Sequence, residues 1–115
     1  FNTLKKKLNE SHKMVFIVPE YNGSFPGVLK TFIDALDYPQ SLKNKKCALL
    51  SLSSGSQGGA LALSHLTDIL HYCGMNVLAQ KPKLAKIEAN FKEGRFTNEL
   101  YVTLLKEQIE AFLPF

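Results

Sequence analysis

The run Pro19-Glu20-Tyr21-Asn22-Gly23-Ser24-Phe25-Pro26-Gly27 concentrates residue types that build a recognition loop. Tyr21 offers a flat π surface, and Asn22 an amide that both donates and accepts hydrogen bonds. Pro19 and Pro26 stiffen the two ends, and Gly23 and Gly27 open backbone conformations closed to other residues. Asn22-Gly23 is a turn pair. A second run, Ser53-Ser54-Gly55-Ser56-Gln57-Gly58-Gly59, is rich in glycine and hydroxyls. Such a run presents backbone N–H groups to an electron-rich ligand. It is not a P-loop, since no Gly-Lys-Ser/Thr ends it, and its glycine spacing is not that of the dinucleotide fingerprint.

Both runs lie between a strand pattern and a helix pattern. Met14-Val15-Phe16-Ile17-Val18 is an unbroken apolar run, which suits a parallel strand covered on both faces. After the first run, Val28, Leu29, Phe32, Ile33 and Leu36 follow the spacing of a helix face, with Ser24 or Phe25 as the cap residue and Pro26 in the first turn. The second run follows a strand at Cys47–Leu52 and leads into a helix from Gly58 to Cys73. That helix is apolar almost all round, with only His65, Asp68 and His71 clearly polar, so the domain or another subunit must cover more than one side of it. His65 and His71 do not share a face as a metal pair would, and read as surface or interface residues. Gly74 caps the helix, and Met75–Ala79 reads as a third strand stopped by Pro82. Leu84–Phe96 is a longer connection. Thr97-Asn98-Glu99 caps a last helix with Leu100, Leu104, Leu105, Ile109, Phe112 and Leu113 on one face. At the start, Leu4 and Leu8 mark the end of an amphipathic helix, with His12 at its C-terminal side. Strand–helix alternation of this kind predicts right-handed βαβ units and a parallel sheet. Ligands then sit beyond the carboxyl ends of the strands, where both runs fall.

The chain has 115 residues, enough for one small domain. With 45% hydrophobic and 21% charged residues it belongs among globular chains. The net charge is +4, with lysines clustered at 5–7, at 43, 45 and 46, and at 81 and 83. No nucleic-acid recognition motif accompanies them and tryptophan is absent, so they read as a solvated basic surface whose field suits an anionic dinucleotide. Cys47 and Cys73 are widely spaced, and are expected to be buried free thiols of a cytoplasmic protein. No apolar run reaches membrane-spanning length, and no metal site or membrane partner is expected.

The segment PEYNGSFPGVLKTFIDAL resembles the signature of the NAD(P)H-dependent FMN reductases, a flavodoxin-like family with azo- and quinone-reducing members. Pro19, Tyr21, Asn22, Ser24, Pro26, Leu29 and Lys30 occupy the places of its P-x-Y-N-x-S-x-P-x-x-L-K pattern. Phe91–Glu99 also resembles the family's approach to its last helix. The resemblance implies a three-layer α/β/α fold with strand order 2-1-3-4-5. This chain, a single domain over residues 1–115, would supply the third, fourth and fifth strands with their helices and lack the N-terminal β-α-β portion.

The resemblance further implies FMN as cofactor. Pro19, Glu20, Tyr21, Asn22, Gly23, Ser24, Ser53, Ser54, Gly55, Gln57, Gly58 and Gly59 would contact it. The flavin would carry the chemistry, with no catalytic side chain, passing hydride from NAD(P)H to a quinone, an azo compound or free flavin. A Gly-Ser-x-Arg-x-x-Ser loop for the phosphate has no counterpart here, so the chain alone is expected to bind FMN poorly and to expose an edge of its first strand. A homodimer or homotetramer through helix 58–73 and the helix after Pro26 is expected. Two other readings stand beside this one: a flavodoxin-type electron carrier, which the basic charge disfavours, and a flavin-free interaction module.

Overall fold

A computed structural model describes residues 1–115. Its elements run α1 (Asn2–Glu10), β1 (Lys13–Pro19), α2 (Gly27–Asp34), β2 (Lys46–Leu52), α3 (Ala60–Tyr72), β3 (Asn76–Val77), β4 (Lys83–Leu84), α4 (Ile87–Asn90), β5 (Phe91–Lys92), β6 (Arg95–Phe96) and α5 (Glu99–Phe112). The flavodoxin-like α/β arrangement is present. β1 lies parallel to β2 over its whole length, from Lys13 opposite Lys46 to Pro19 opposite Leu52. β3 and β4 both pair parallel with the other edge of β2. One face of the sheet packs on α2 and α3 through Val18, Leu49, Ile33, Leu63, Leu66 and Leu70. The four leucines are essentially inaccessible to water. Cutting any of them back to alanine would cost on the order of 2–5 kcal/mol.

The third strand differs from expectation. Pairing stops after Val77 and resumes at Lys83, so Pro82 does not end the strand; it leads the chain back in, with its carbonyl accepting from Ser51 N–H. Along this edge the residue number advances from 76 to 83 while its partner in β2 advances only from 46 to 51. The surplus residues bulge out of the sheet and leave backbone carbonyls without strand partners. Gln108, buried on α5, fills that need: its amide donates to Leu49 O at 2.8 Å and to Gln80 O at 3.2 Å. The Tyr101 hydroxyl similarly donates to Ala85 O at 2.9 Å.

These two polar side chains correct the expected face of α5. Leu100, Ile109 and Leu113 are exposed, while Tyr101 and Gln108 are the buried positions. A buried donor that satisfies a carbonyl outcompetes a leucine with nothing to bond. The helix starts as the sequence indicates, with Asn98 Oδ1 accepting from Leu100 N–H. At its far end Lys13 Nζ donates to Phe112 O and Leu113 O, and Lys46 Nζ donates to Phe115 O. The connection 84–96 contains a short helix and a β5–β6 hairpin turning on Glu93-Gly94, both with positive φ.

β1 is covered on one face only. Met14, Phe16 and Val18 point to the core, whereas Val15 and Ile17 are 50% and 65% exposed. α5 reaches over β2 and stops short, leaving an apolar hollow lined by Val15, Ala48, Leu50, Leu105 and Ile109. The outer edge of β1 pairs with no strand of this chain.

α1 is tied down by a polar knot. Lys5 Nζ and Asn9 Nδ2 donate to the Asp37 carboxylate at 3.0 and 3.2 Å, and Ser41 Oγ donates to Asn9 Oδ1 at 2.6 Å. The Lys5 hydrogen bond, then that of Asn9, holds the Asp37 carboxyl below its ordinary value of 3.8. A carboxylate whose pKa is depressed on folding stabilises the fold above the unfolded value and ceases to do so as pH falls through the folded one.

Two outcomes follow from this architecture. Gln108→Leu, which leaves the Leu49 carbonyl buried without a donor, should cost about 1–3 kcal/mol in denaturant unfolding; an unchanged midpoint would refute the bulge-plug role. Asp37→Asn should lower the melting temperature near neutral pH, and the gap to wild type should close in acid, below pH of about 4. A gap of equal size across that range would show that the Asp37 charge contributes nothing.

Candidate functional site

The parallel pairing of β1 with β2 delivers both glycine-bearing runs to the same end of the sheet. Glu20 N–H donates to Leu52 O at 2.9 Å, so the first loop leaves its strand beside the start of the second.

The first loop is a tight hairpin. Tyr21 N–H donates to Ser24 O at 2.8 Å and Ser24 N–H to Tyr21 O at 3.0 Å, with Asn22 and Gly23 at φ 50° and 86° between them. Positive φ at both central residues is the primed turn that Asn-Gly favours. Glu20 turns its carboxylate inward and accepts from Gly23 N–H at 2.5 Å. The expected cap is corrected: Pro26 is the N-cap of α2 and no side chain caps that end. Ser24 Oγ instead lies 2.8 Å from His65 Nδ1 on α3.

The second loop is shaped by its glycine pair. Gly58 and Gly59 have φ 66° and 83°, so α3 begins at Ala60 and not at Gly58 as its apolar pattern suggests. A Cβ on Gly58 would come within 2.8 Å of the Lys83 carbonyl carbon, and one on Gly59 within 2.8 Å of Ser51 Cβ. Ser51 Oγ donates to Gly58 O and locks the loop against β2. The segment after β4 braces the loop from outside: Lys86 N–H donates to Gly55 O, Ile87 N–H to Ser53 O, and Ser54 Oγ to Glu88 Oε1 at 2.6 Å. No side chain caps the N-terminus of α3. Ala60 N–H donates to Gln57 O at 3.3 Å, and the N–H groups that follow it, with the positive end of the helix dipole, remain at the loop.

Between the loops lies a cavity of about 200 Å³ lined by Glu20, Gly23, Ser53, Gly55, Ser56, Gln57, Gly59, Ala60 and Leu61. Six of the sequence-derived site residues thus converge: Glu20, Gly23, Ser53, Gly55, Gln57 and Gly59. Pro19 closes β1 opposite Leu52, and Gly58 packs on Lys83. Tyr21 and Asn22 are exposed at the loop tip, and Ser24 and Ser54 turn to His65 and Glu88. Ser56, Ala60 and Leu61 line the cavity without having been singled out. Their signal was position alone, one inside the serine–glycine run and two directly after its glycine pair.

A larger apolar cavity of about 320 Å³ lies between the C-terminal parts of α2 and α3, among Ile33, Leu36, Tyr38, Leu42, Ile69 and Tyr72. It sits toward the opposite end of the sheet, away from both glycine-bearing loops, so the smaller cavity is the candidate site. No three His, Cys, Asp or Glu side chains gather as a metal site would require. Cys47 is buried and its thiol is pushed up to about 12 by burial; burial, then Asp34, also raises Cys73, which is half-buried. Neither thiol is activated. No helix is long and apolar enough to cross a membrane.

Two such loops around a shallow cleft, the second with unpaired backbone N–H groups beside a helix start without a side-chain cap, can hold the polar edge of a planar ring. Comparison with known proteins agrees. Residues 1–88 match the family model described as NADPH-dependent FMN reductase. The chain is 34% identical over 95 residues to a 2-hydroxy-1,4-benzoquinone reductase of a Burkholderia species, covering 75% of this chain and 51% of that protein. It is 30% identical over 112 residues to an NAD(P)H-dependent FMN reductase of Pseudomonas aeruginosa, covering 93% of this chain and 60% of that protein. Among solved structures, the flavoenzyme NAD(P)H:(acceptor) oxidoreductase FerB from Paracoccus denitrificans superimposes with a TM-score of 0.80 at 31% identity, over 98% of this chain and 65% of its own. The chain therefore spans between half and two thirds of the length of these relatives. With the signature loop, the parallel sheet and the family match all in agreement, this chain belongs to the NADPH-dependent FMN reductase family.

Proposed function

We propose that this chain forms the ring-binding part of an FMN-dependent NAD(P)H oxidoreductase. The observation that carries this reading is the convergence of the Glu20–Gly23 and Ser53–Gly59 backbones on one cavity at the carboxyl ends of neighbouring parallel strands. The residues fit a flavin ring. The first loop, whose own amides are mostly bonded within it, forms one wall, and the second offers unpaired amides to the ring's polar edge. The α3 N-terminus favours negative charge developing there, and Leu61 supplies an apolar wall. Bound FMN would supply hydride acceptance from the nicotinamide and delivery to a quinone, azo compound or free flavin. The protein's share is orientation and electronics. Glu20 holds the first loop in its turn, and the Gly58-Gly59 pair lets the second approach without a Cβ in the way.

The phosphate is a different matter. Arg95 is the single arginine of the chain and lies in the β5–β6 hairpin, so no guanidinium stands at the cavity to grip an anion in two places. The unpaired edge of β1 and the bare Val15 and Ile17 support a further β-α-β portion of the protein. That portion would complete the sheet and bring the phosphate-binding groups. The same exposed features would otherwise template aggregation.

Val28, Tyr38, Leu61 and Tyr72 are exposed along α2, α3 and the turn after α2, and Tyr38 stacks on Tyr72 with ring centroids 6.4 Å apart. α3 is thus covered by its own domain on one side only, and we assign its outer face to a second copy. The free thiols support a reducing, cytoplasmic setting.

Three measurements test these readings. The protein purified at full length should carry a stoichiometric yellow flavin and oxidise NAD(P)H with a quinone; a colourless protein inert with added FMN would overturn the assignment in favour of an interaction module. Gly59→Ala should weaken flavin binding at least tenfold, because the new methyl meets Ser51 in a left-handed backbone; unchanged affinity would remove the second loop from the site. In sedimentation, Tyr72→Glu should shift a dimer toward monomer. A wild type already monomeric at micromolar concentration would rule the pairing out.

A further inference from the structure

We infer that His65 and Ser24 form a clamp that sets the separation of the two loops, with His65 a positioning residue for the ring site; this rests on the function proposed above. Ser24 Oγ and His65 Nδ1 are 2.8 Å apart, and this is the one side-chain hydrogen bond that crosses from the first loop to α3. Everything else that shapes the Tyr21–Ser24 turn is internal to the loop: its two backbone bonds and the Glu20 carboxylate on Gly23 N–H. Its root is tied to the second loop's strand by Glu20 N–H to Leu52 O. Its far end runs into Phe25, packed against the core, and buried Pro26, and the one hydrogen bond that ties the turn itself to the rest of the domain on that side is the one to His65.

The placement of His65 gives the bond its reach. α3 begins at Ala60, directly after the Gly58-Gly59 pair that shapes the second loop, and Ala60 and Leu61 line the cavity. His65 stands one helical turn beyond Leu61 on the same side, since residues four apart are neighbours on a helix. A rigid helix therefore joins one wall of the cavity to the other through one side chain. The bond persists in either histidine tautomer, because the serine hydroxyl can donate or accept. Ser24 also leaves α2 without a side-chain cap, so its hydroxyl is spent on the loop-to-helix contact and not on the nearer helix end.

The geometry specifies its own control. Nδ1 of histidine and the amide atoms of asparagine stand the same number of bonds from Cα, whereas glutamine carries its amide one bond further. His65→Asn should therefore restore the contact, and His65→Gln should not. Amide hydrogen exchange in the flavin-free protein reads the clamp directly. His65→Ala and Ser24→Ala should each speed exchange at the Tyr21, Gly23 and Ser24 amides about fivefold, the size expected for one hydrogen bond, while β1 amides stay unchanged. The double variant should be no faster than either single one, the mark of a shared interaction. In the flavin-loaded full-length protein, His65→Ala should weaken flavin affinity by a similar factor and shift the flavin absorption bands, with recovery in His65→Asn. Unaltered exchange in His65→Ala, additive effects in the double variant, or no recovery in His65→Asn would each overturn the clamp. A wild type that binds no flavin would instead sink the proposed function, and the clamp would still be decided by amide exchange alone.

Discussion

The in-register parallel pairing of β1 with β2 is the constraint on which the site depends. Parallel strands send their chain ends the same way, so Pro19 and Leu52 finish opposite each other and the two glycine-bearing loops emerge as neighbours. An antiparallel pairing of the same strands would place those loops at opposite ends of the sheet. The hydrophobic core enforces the register: Val18 and Leu49 must face Ile33, Leu63 and Leu66, and a slip by one residue would turn each of these strand residues to the other face. The site is thus a consequence of burial elsewhere.

The loops themselves are held by contacts that differ in kind. The first turns on Asn22-Gly23 in a conformation that needs positive φ at both positions, with Glu20 closing it. The second is held by close approach, with Gly58 against the Lys83 backbone and Gly59 against Ser51. In both, the backbone is held in place by the fold itself, which would spare the ordering cost if the proposed ring binds there. The bulged third strand is part of the same arrangement. Rejoining the sheet at Lys83 puts the 83–88 segment behind the second loop, and Gln108 satisfies the carbonyls that the bulge leaves open.

Much of this was legible in the residues. The two strand–loop–helix units, the Asn-Gly turn, the left-handed Gly74 and the Asn98 cap are local features, and local chemistry decides them. The errors were also physical. Gln108 and Tyr101 fall outside the face that the apolar spacing of α5 marks, because a polar residue in a helix reads as solvated until the carbonyl it meets is known. Ser24, which with Phe25 reads as a candidate cap of α2, bonds instead to His65, a partner too remote in sequence to be read from it. The uninterrupted apolar run of β1 indicated two covered faces. It gave no hint that α5 stops over β2, leaving Val15 and Ile17 open.

Sequence by itself determined the family signature, the order of elements and the identity of the two loops, since each is written in neighbours along the chain and in turn chemistry that needs no distant partner. Tertiary structure alone decided which loop residues share a cavity, where the third strand breaks, and which polar side chains are buried. Those outcomes depend on pairs such as Gln108 with Leu49, Gly59 with Ser51 and Ser24 with His65. Such pairs become neighbours only when burial of the leucine core brings the strands and helices together, and no spacing along the chain encodes that proximity.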